Sequence, residues 1–153
     1  MLKKLLKESH LEFFPLFTAK PHVFISARHP LADKRIIAPY ELENYPFLAF
    51  EQGEFNSFYF SEEILSTAVR KKVIHVSDRA TLFNLLIGLN GYTICTGILN
   101  SDLNGDNIAS VLLETDENMC VGWIKSDRTQ LSRFALEYIE ELKRLTDKYS
   151  CAE

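Results

Sequence analysis

Several sequence features that would narrow the possible functions of this chain are scarce or absent, and cysteine is the first of them. Only three cysteines occur in 153 residues, widely spaced at Cys95, Cys120 and Cys151. An odd number with no CxxC pair argues against a disulfide framework and against the usual cysteine zinc sites. Cys95 and Cys120 lie in apolar, strand-like segments, where cysteine behaves as a small hydrophobic residue. We therefore assign no redox or metal chemistry to the thiols.

Long apolar runs and dense basic runs are also missing. No segment approaches the ~18 apolar residues that a membrane-spanning helix needs, and no signal-peptide cleavage site follows the N-terminal leucines and lysines. We therefore expect a cytoplasmic protein. The formal net charge is −4, so the chain is a poor candidate for holding duplex DNA by its phosphates. Its hydrophobic content of 46% suits one domain with a substantial core.

Enzyme signatures are absent as well. The sequence contains no GxSxG, HExxH, GxGxxG or GxxxxGK[ST] motif. Glu51 and Asp78 could form an acid–base pair, but solvated loop carboxylates and helix caps are far commoner. The four histidines fall in different predicted elements and show no metal-site spacing: His10, His22, His29 and His75. We expect no catalytic residue, no metal and no cofactor.

The most informative segment that is present covers residues 73–96. It reads as a strand, a polar turn, an amphipathic helix, a stop and a second strand. Ser77 or Asp78 can cap the helix, and Asn90-Gly91 suits its end because both residues tolerate the left-handed conformation. Such a unit points the free N–H groups of a helix N-terminus at a place where a small polar ligand can sit.

Strand and helix patterns also occur outside this segment. Strands are predicted over residues 23–26, 47–50, 72–76, 92–95, 108–113 and 119–125, and helices over 58–69 and 78–89. A final helix follows a Ser132 cap, with one apolar stripe made of Leu131, Ala135, Tyr138, Leu142, Leu145 and Tyr149. Because strands and helices alternate over residues 47–95, we predict an α/β fold with right-handed crossovers and a parallel sheet.

Polar side chains follow two of the predicted parallel strands. Ligands of such sheets bind beyond the carboxyl ends of strands. The amide and hydroxyl groups there, together with the helix N–H groups, could hold a carboxylate or similar anion, and Arg79 could pair with it. The candidate residues are Gln52, Asn56, Ser57, Ser77 and Thr81.

The order of these segments resembles the effector-binding domain of LysR-type transcriptional regulators. The matching runs are VFISARHPLA at residues 23–32, PYELENYPFL at 39–48, the strand–helix–strand unit at 76–96, and WIK at 123–125 with the last helix. The similarity covers essentially the whole chain. Leu89 stands where the family usually has a glycine, and Thr96 replaces a proline, which leaves the local turn geometry open.

The resemblance implies a periplasmic-binding-protein type 2-like fold with a mostly parallel mixed sheet flanked by helices. Residues 16–118 would form the second of two lobes, and residues 1–15 and 119–153 the hinge and remnants of the first. Most of the first lobe and the winged helix-turn-helix would then lie outside a truncated chain. The effector would bind between the lobes, and position in the matching segments adds Thr96 to the candidate contacts.

The implied function is regulatory and non-catalytic. A small effector, with anions among the candidates, would shift the orientation of the lobes and thereby the DNA-binding heads of a homo-oligomer. DNA would be contacted only through the missing N-terminal domain. The alternatives are a solute-binding or enzyme-regulatory domain of the same fold, and a stand-alone dimerisation module. The last helix would lose its usual partner, so we also expect it to self-associate or repack.

Overall fold

The computed structural model describes residues 9–51, 70–100, 102 and 105–150, without the side chains of 148–150, and the chain divides into two units. Unit 1 comprises residues 1–19 and 118–153, and unit 2 comprises residues 20–117. The predicted helix over residues 58–69 lies outside the described residues.

Twelve elements are found in the described residues. In chain order they are β1 Leu11–Ala19, β2 His22–Ser26, β3 Ile36–Ile37, a 3-10 turn Pro39–Leu42, β4 Phe47–Phe50, β5 Val73–Val76, α1 Arg79–Gly88, β6 Tyr92–Cys95, a 3-10 turn Gly105–Asn107, β7 Ile108–Leu113, β8 Met119–Ser126 and α2 Arg133–Ser150.

Unit 2 is built on one mixed sheet. Its described strands follow the order β3-β7-β2-β6-β4-β5. β4 runs parallel to both β5 and β6, and β3 runs parallel to β7, whereas β2 is antiparallel to β6 and β7. The expected α/β fold with a mostly parallel mixed sheet is therefore confirmed, and β2 supplies its antiparallel part.

α1 connects β5 to β6 and packs on the sheet through Leu82 and Leu86, which are buried. Its end follows the predicted stop only in part. Asn90 adopts the left-handed conformation with φ 49°, but Gly91 does not. Gly91 is closely packed instead, because a Cβ there would lie 3.1 Å from the Pro46 carbonyl oxygen and 3.2 Å from the side chain of Leu48.

The core of unit 2 lies between the sheet and the segments that cover it. The loop at residues 27–33 closes onto this core through His29, which is buried. The Leu31 N–H donates to His29 Nδ1 at 3.1 Å, and the ring packs on Tyr45 with centroids 4.2 Å apart. Burial lowers the pKa of His29. Fully buried members of the core include Val23, Ile25, Ile37, Leu48 and Leu86.

Unit 1 consists of β1, β8 and α2 in its described part. β1 pairs antiparallel with β8, with an irregularity between Pro15 and Phe17, as expected where a proline interrupts the hydrogen-bond ladder. Phe14 stacks on Trp123 with centroids 4.2 Å apart. Gly122 lies beneath β1 so closely that a Cβ would meet the Phe14 carbonyl oxygen at 2.2 Å.

α2 begins as predicted, because the Ser132 hydroxyl accepts the Ala135 N–H at 3.2 Å. The predicted apolar stripe is wrong in composition. The side that packs on β1 carries Ala135, Ile139 and Leu142, whereas Tyr138 and Leu145 of the predicted stripe are exposed. The periodicity of apolar residues identified an apolar side of the helix, but it could not show which of two adjacent sides packs against β1. Neither described helix is long and apolar enough to span a membrane.

Candidate functional site

The carboxyl ends of β4, β5 and β6 form one edge of the unit 2 sheet. Phe47 is aligned with Tyr92 on one side and with Val73 on the other. The pairing of β4 with β5 continues to Phe50 and Val76, so Glu51 and Ser77 follow side by side at about the 4.8 Å strand spacing. Thr96 follows the end of β6 at the same edge, where β6 is paired with β4 at Tyr92 and Phe47. The Glu51 N–H donates to the Val76 carbonyl at 2.8 Å, which fixes Glu51 beside the end of β5.

This edge brings together two of the predicted contacts and adds one residue. Glu51 follows β4, and Ser77 and Thr96 follow the two strands on either side of β4 in the sheet. Glu51 was considered above only as a catalytic partner of Asp78. Its central place depends on the order of strands in the sheet, which sequence patterns do not specify. We call Thr96, Glu51 and Ser77 the edge row.

The N-terminus of α1 follows directly after Ser77. Asp78 Oδ1 accepts the Thr81 N–H at 2.8 Å, which makes Asp78 the cap. Hydrogen bonds from the backbone and side chain of Thr81 lower the pKa of Asp78, so its carboxylate is ionised at neutral pH. The N–H of Thr81 is therefore already used, and a negative charge stands where the helix would otherwise favour an anion. Arg79 lies along the helix, 6.0 Å from the centroid of the Phe83 ring.

The turn after β6 is shaped by a glycine and a histidine. Gly97 has φ 82°, and a Cβ there would lie 2.5 Å from His22 Nδ1. His22 Nδ1 donates to the Lys20 carbonyl at 2.9 Å, which holds the ring against this turn. The Thr96 hydroxyl accepts the Ile98 N–H at 3.5 Å. Sequence reasoning gave His22 no role, because only the antiparallel pairing of β2 with β6 brings it here.

The remaining predicted contacts, Gln52, Asn56 and Ser57, lie outside the described residues. Gln52 is the next residue after Glu51, and Asn56 and Ser57 follow within six residues. Their contact with an effector remains a prediction. Among the residues that the structure describes, no group of three or more His, Cys, Asp or Glu is arranged to hold a metal ion.

A cavity of about 600 Å³ opens elsewhere in unit 2, near the amino ends of β4, β5 and β6. Two of its three cationic groups, those of Arg70 and Lys72, already contact other groups of the protein. The Arg70 guanidinium lies 3.7 Å from the centroid of the Phe47 ring, and Lys72 Nζ donates to the Asn44 carbonyl at 3.1 Å. Burial raises the pKa of the Tyr92 hydroxyl, against the opposing effect of Arg70. The edge row is therefore the better candidate for a polar ligand.

Comparison with known proteins identifies a family. The model of the LysR substrate binding domain matches residues 2–145. No curated protein matches the chain.

Solved structures agree in fold. HinK, a LysR family transcriptional regulator from Pseudomonas aeruginosa, superposes with a TM-score of 0.64 at 16% identity, over 92% of this chain and 50% of that one. The effector binding domain of QuiR in complex with shikimate superposes with a TM-score of 0.63 at 16% identity, over 93% of this chain and 68% of that one. The regulatory domain of CcmR from Synechocystis PCC6803 in complex with 2-PG superposes with a TM-score of 0.61 at 17% identity, over 89% of this chain and 67% of that one. The chain thus spans between 50% and 68% of the length of these structures.

Proposed function

This chain belongs to the LysR substrate binding domain family, and we propose that it binds a small-molecule effector without transforming it. Unit 2 supplies one wall of the effector site, with residues 16–118 as the second lobe of the domain. Residues 1–15 and 119–153 belong to the hinge and the first lobe. The observation that carries this proposal is the edge row, which lies at the sheet edge where ligands of α/β sheets bind.

The chemistry of the edge row suits a hydroxylated effector. The hydroxyls of Ser77 and Thr96 can each donate or accept, and Glu51 accepts from ligand hydroxyl or amino groups. An anionic group of the effector would avoid the α1 N-terminus, because Asp78 is ionised there. It would instead face the amide and hydroxyl groups predicted at Gln52, Asn56 and Ser57. The relatives that bind shikimate and 2-PG support a small, oxygen-rich acid.

Binding would act by population shift. An effector that contacts both lobes in only one of their relative orientations stabilises that orientation by its difference in affinity. In a cytoplasmic homo-oligomeric regulator this shift would change how the DNA-binding heads are presented, so that effector and DNA are coupled. DNA would be contacted by a separate N-terminal domain, and the effector-binding domain would regulate that contact.

A titration followed by the backbone amide resonances of the 153-residue chain tests the site. Shikimate, which carries hydroxyls and a carboxylate, and benzoate, which carries only the carboxylate, serve as paired probes. We expect the largest shifts from shikimate at Glu51, Ser77, Thr96 and Gly97. Largest shifts around Arg70 and Tyr92 would instead place the ligand in the other cavity and refute the assignment.

Substitutions separate direct contact from general effects. Thr96→Val and Ser77→Ala each remove one hydroxyl and should weaken shikimate binding about threefold to tenfold, the usual value of one hydrogen bond. Benzoate binding should not change. Thr129→Val, in unit 1, is the matched control and should leave both ligands unaffected. Equal losses for both ligands would contradict a hydrogen-bonding role of the edge row.

A further inference from the structure

The cavity near the amino ends of β4, β5 and β6 has the size and lining of a small-molecule site. Its volume of about 600 Å³ falls within the range of about 300–1,000 Å³ that such sites occupy. Leu42, Ile94 and Leu113 give it buried apolar lining. The lining also contains three tyrosines, Tyr40, Tyr45 and Tyr92. A ligand with an apolar body would therefore fit this cavity better than a wholly polar one.

Two of these tyrosines are held in place by neighbouring rings, and the third is open to solvent. Tyr45 packs on the buried His29 ring with centroids 4.2 Å apart, and Tyr92 packs on Phe47 with centroids 5.2 Å apart. Tyr40 is 72% exposed, so its ring offers apolar surface that a ligand can cover. Because aromatic rings pack favourably against one another, stacked or edge to face, this lining suits a flat aromatic body.

The cavity is basic, although the chain as a whole carries a net charge of −4. Its described lining has the consecutive cationic residues 70–72 against the single carboxylate of Glu43, a net charge of +2. Lys72 is used by the protein, since its Nζ donates to the Asn44 carbonyl. Lys71 is exposed, and its ammonium forms no hydrogen bond or ion pair with any residue that the structure describes. It can therefore pair with an anionic group of a ligand.

Arg70 is positioned by the protein but keeps the capacity to bind an acid. Its guanidinium carbon lies 3.7 Å from the centroid of the Phe47 ring, and a contact with a ring face uses none of the five N–H donors. The group also lies close enough to Tyr92 to oppose the rise in pKa that burial causes there. A guanidinium fixed in this way can offer two parallel N–H groups to a carboxylate, with little side-chain freedom left to lose on binding.

We propose that this cavity is a second ligand site, which takes a small aromatic acid with its carboxylate between Arg70 and Lys71. The ring of the acid packs among the three tyrosines. Four residues of β6 separate Tyr92 from Thr96, about 13 Å at ~3.3 Å per residue, so a ligand in the cavity leaves the edge row free. The inference concerns a different ligand and does not rest on the proposed effector site.

Indole-3-acetate and indole-3-acetamide share one ring system and differ in charge, so they serve as paired probes of the 153-residue chain. In a titration followed by amide resonances, the acid should give its largest shifts at Tyr40, Tyr45, Lys71 and Tyr92. It should bind at least about tenfold more tightly than the amide. Saturating shikimate should change its dissociation constant less than about twofold, because the two sites are separate. Largest shifts at the edge row or on α2, equal binding of acid and amide, or competition with shikimate overturns the proposal.

Two exposed residues separate the role of the charge from that of the ring. Lys71→Met should weaken binding of the acid about threefold to tenfold and leave the amide unchanged. Tyr40→Ala should weaken both probes by a similar factor, about threefold to tenfold, because it removes ring contact alone. Lys20→Met and Tyr138→Ala change exposed residues of the same types outside the cavity and should alter neither constant more than about twofold. An unaltered acid affinity in Lys71→Met or in Tyr40→Ala contradicts the assignment.

Discussion

Unit 2 surrounds its apolar residues, whereas unit 1 leaves much of its apolar surface exposed. Among the described residues, every buried hydrophobic side chain except Ile139 belongs to unit 2. In the described part of the chain, unit 2 has a six-stranded sheet with a helix and covering loops, which can enclose a core. The described part of unit 1 has two strands and one helix, which cannot. The difference suggests that unit 2 is rigid enough to position an effector site, while unit 1 depends on further contacts.

The largest expected effect comes from emptying the unit 2 core. Leu86 is 0% exposed, so Leu86→Ala should lower the free energy of unfolding by about 3–5 kcal/mol. Leu136 of α2 is 52% exposed, so Leu136→Ala should change the free energy of unfolding by less than about 0.5 kcal/mol. Urea unfolding measures both. Similar losses for the two variants would remove the contrast between the units.

A smaller effect is expected at the strand pair of unit 1. Gly122→Ala inserts a Cβ that would collide with the Phe14 carbonyl and the Phe13 ring, so it should cost about 1–3 kcal/mol. Gly88→Ala in α1 meets no atom within 4 Å and should stabilise the chain by about 0.5–1 kcal/mol. Thermal unfolding shows whether Gly122→Ala lowers stability and Gly88→Ala raises it. A neutral Gly122→Ala would mean that β1 and β8 are not held this close.

The loop that closes on unit 2 through His29 predicts a pH dependence. Since burial lowers the pKa of folded His29 below 6.5, the unfolded chain binds more protons between the two values. This contribution to stability is complete above about pH 6.5 and is lost as pH falls towards the folded pKa, by at most about 1.4 kcal/mol per pH unit.

His29→Asn isolates this contribution. Asparagine can keep the acceptor for the Leu31 N–H but does not titrate. The difference in unfolding free energy between the chain and this variant should therefore shrink from pH 7.5 to pH 5.5. A constant difference across that range would show that the pKa of His29 is the same in the folded and the unfolded chain.

The smallest effect concerns the charge beside the edge row. Asp78→Asn keeps a good helix cap and removes the carboxylate at the N-terminus of α1. We expect shikimate to bind about two- to fivefold more tightly, because the helix end can then favour the anion. The comparison is made by the same titration of amide resonances. Unchanged affinity would mean that the carboxylate of the ligand lies beyond the influence of Asp78.

Local signals predicted much of unit 2. The helix expected over residues 78–89 is found as Arg79–Gly88 with Asp78 as its cap, and the following strand lies at Tyr92–Cys95 as expected. These elements combine a cap, a periodic apolar face and a stop within one short segment. β1 was not predicted, because Pro15 breaks the alternation of a strand that is completed only by pairing with β8.

The site was predictable only where it followed from strand ends. Ser77 and Thr96 stand after their strands in the sequence, and contact of either residue with an effector stays a prediction. Glu51 and His22 reach the same edge through the order and register of distant strands. No pattern within one segment specifies such pairings, so these two residues could not be assigned in advance.

Residue-level amide hydrogen exchange tests the central contrast most directly. In a dilute solution of the chain, the amides of Val23, Leu48 and Ile94 in unit 2 should exchange only through global unfolding. Amides of α2 should exchange by smaller local openings. Equal protection of α2 and the unit 2 strands in the dilute chain would contradict the account.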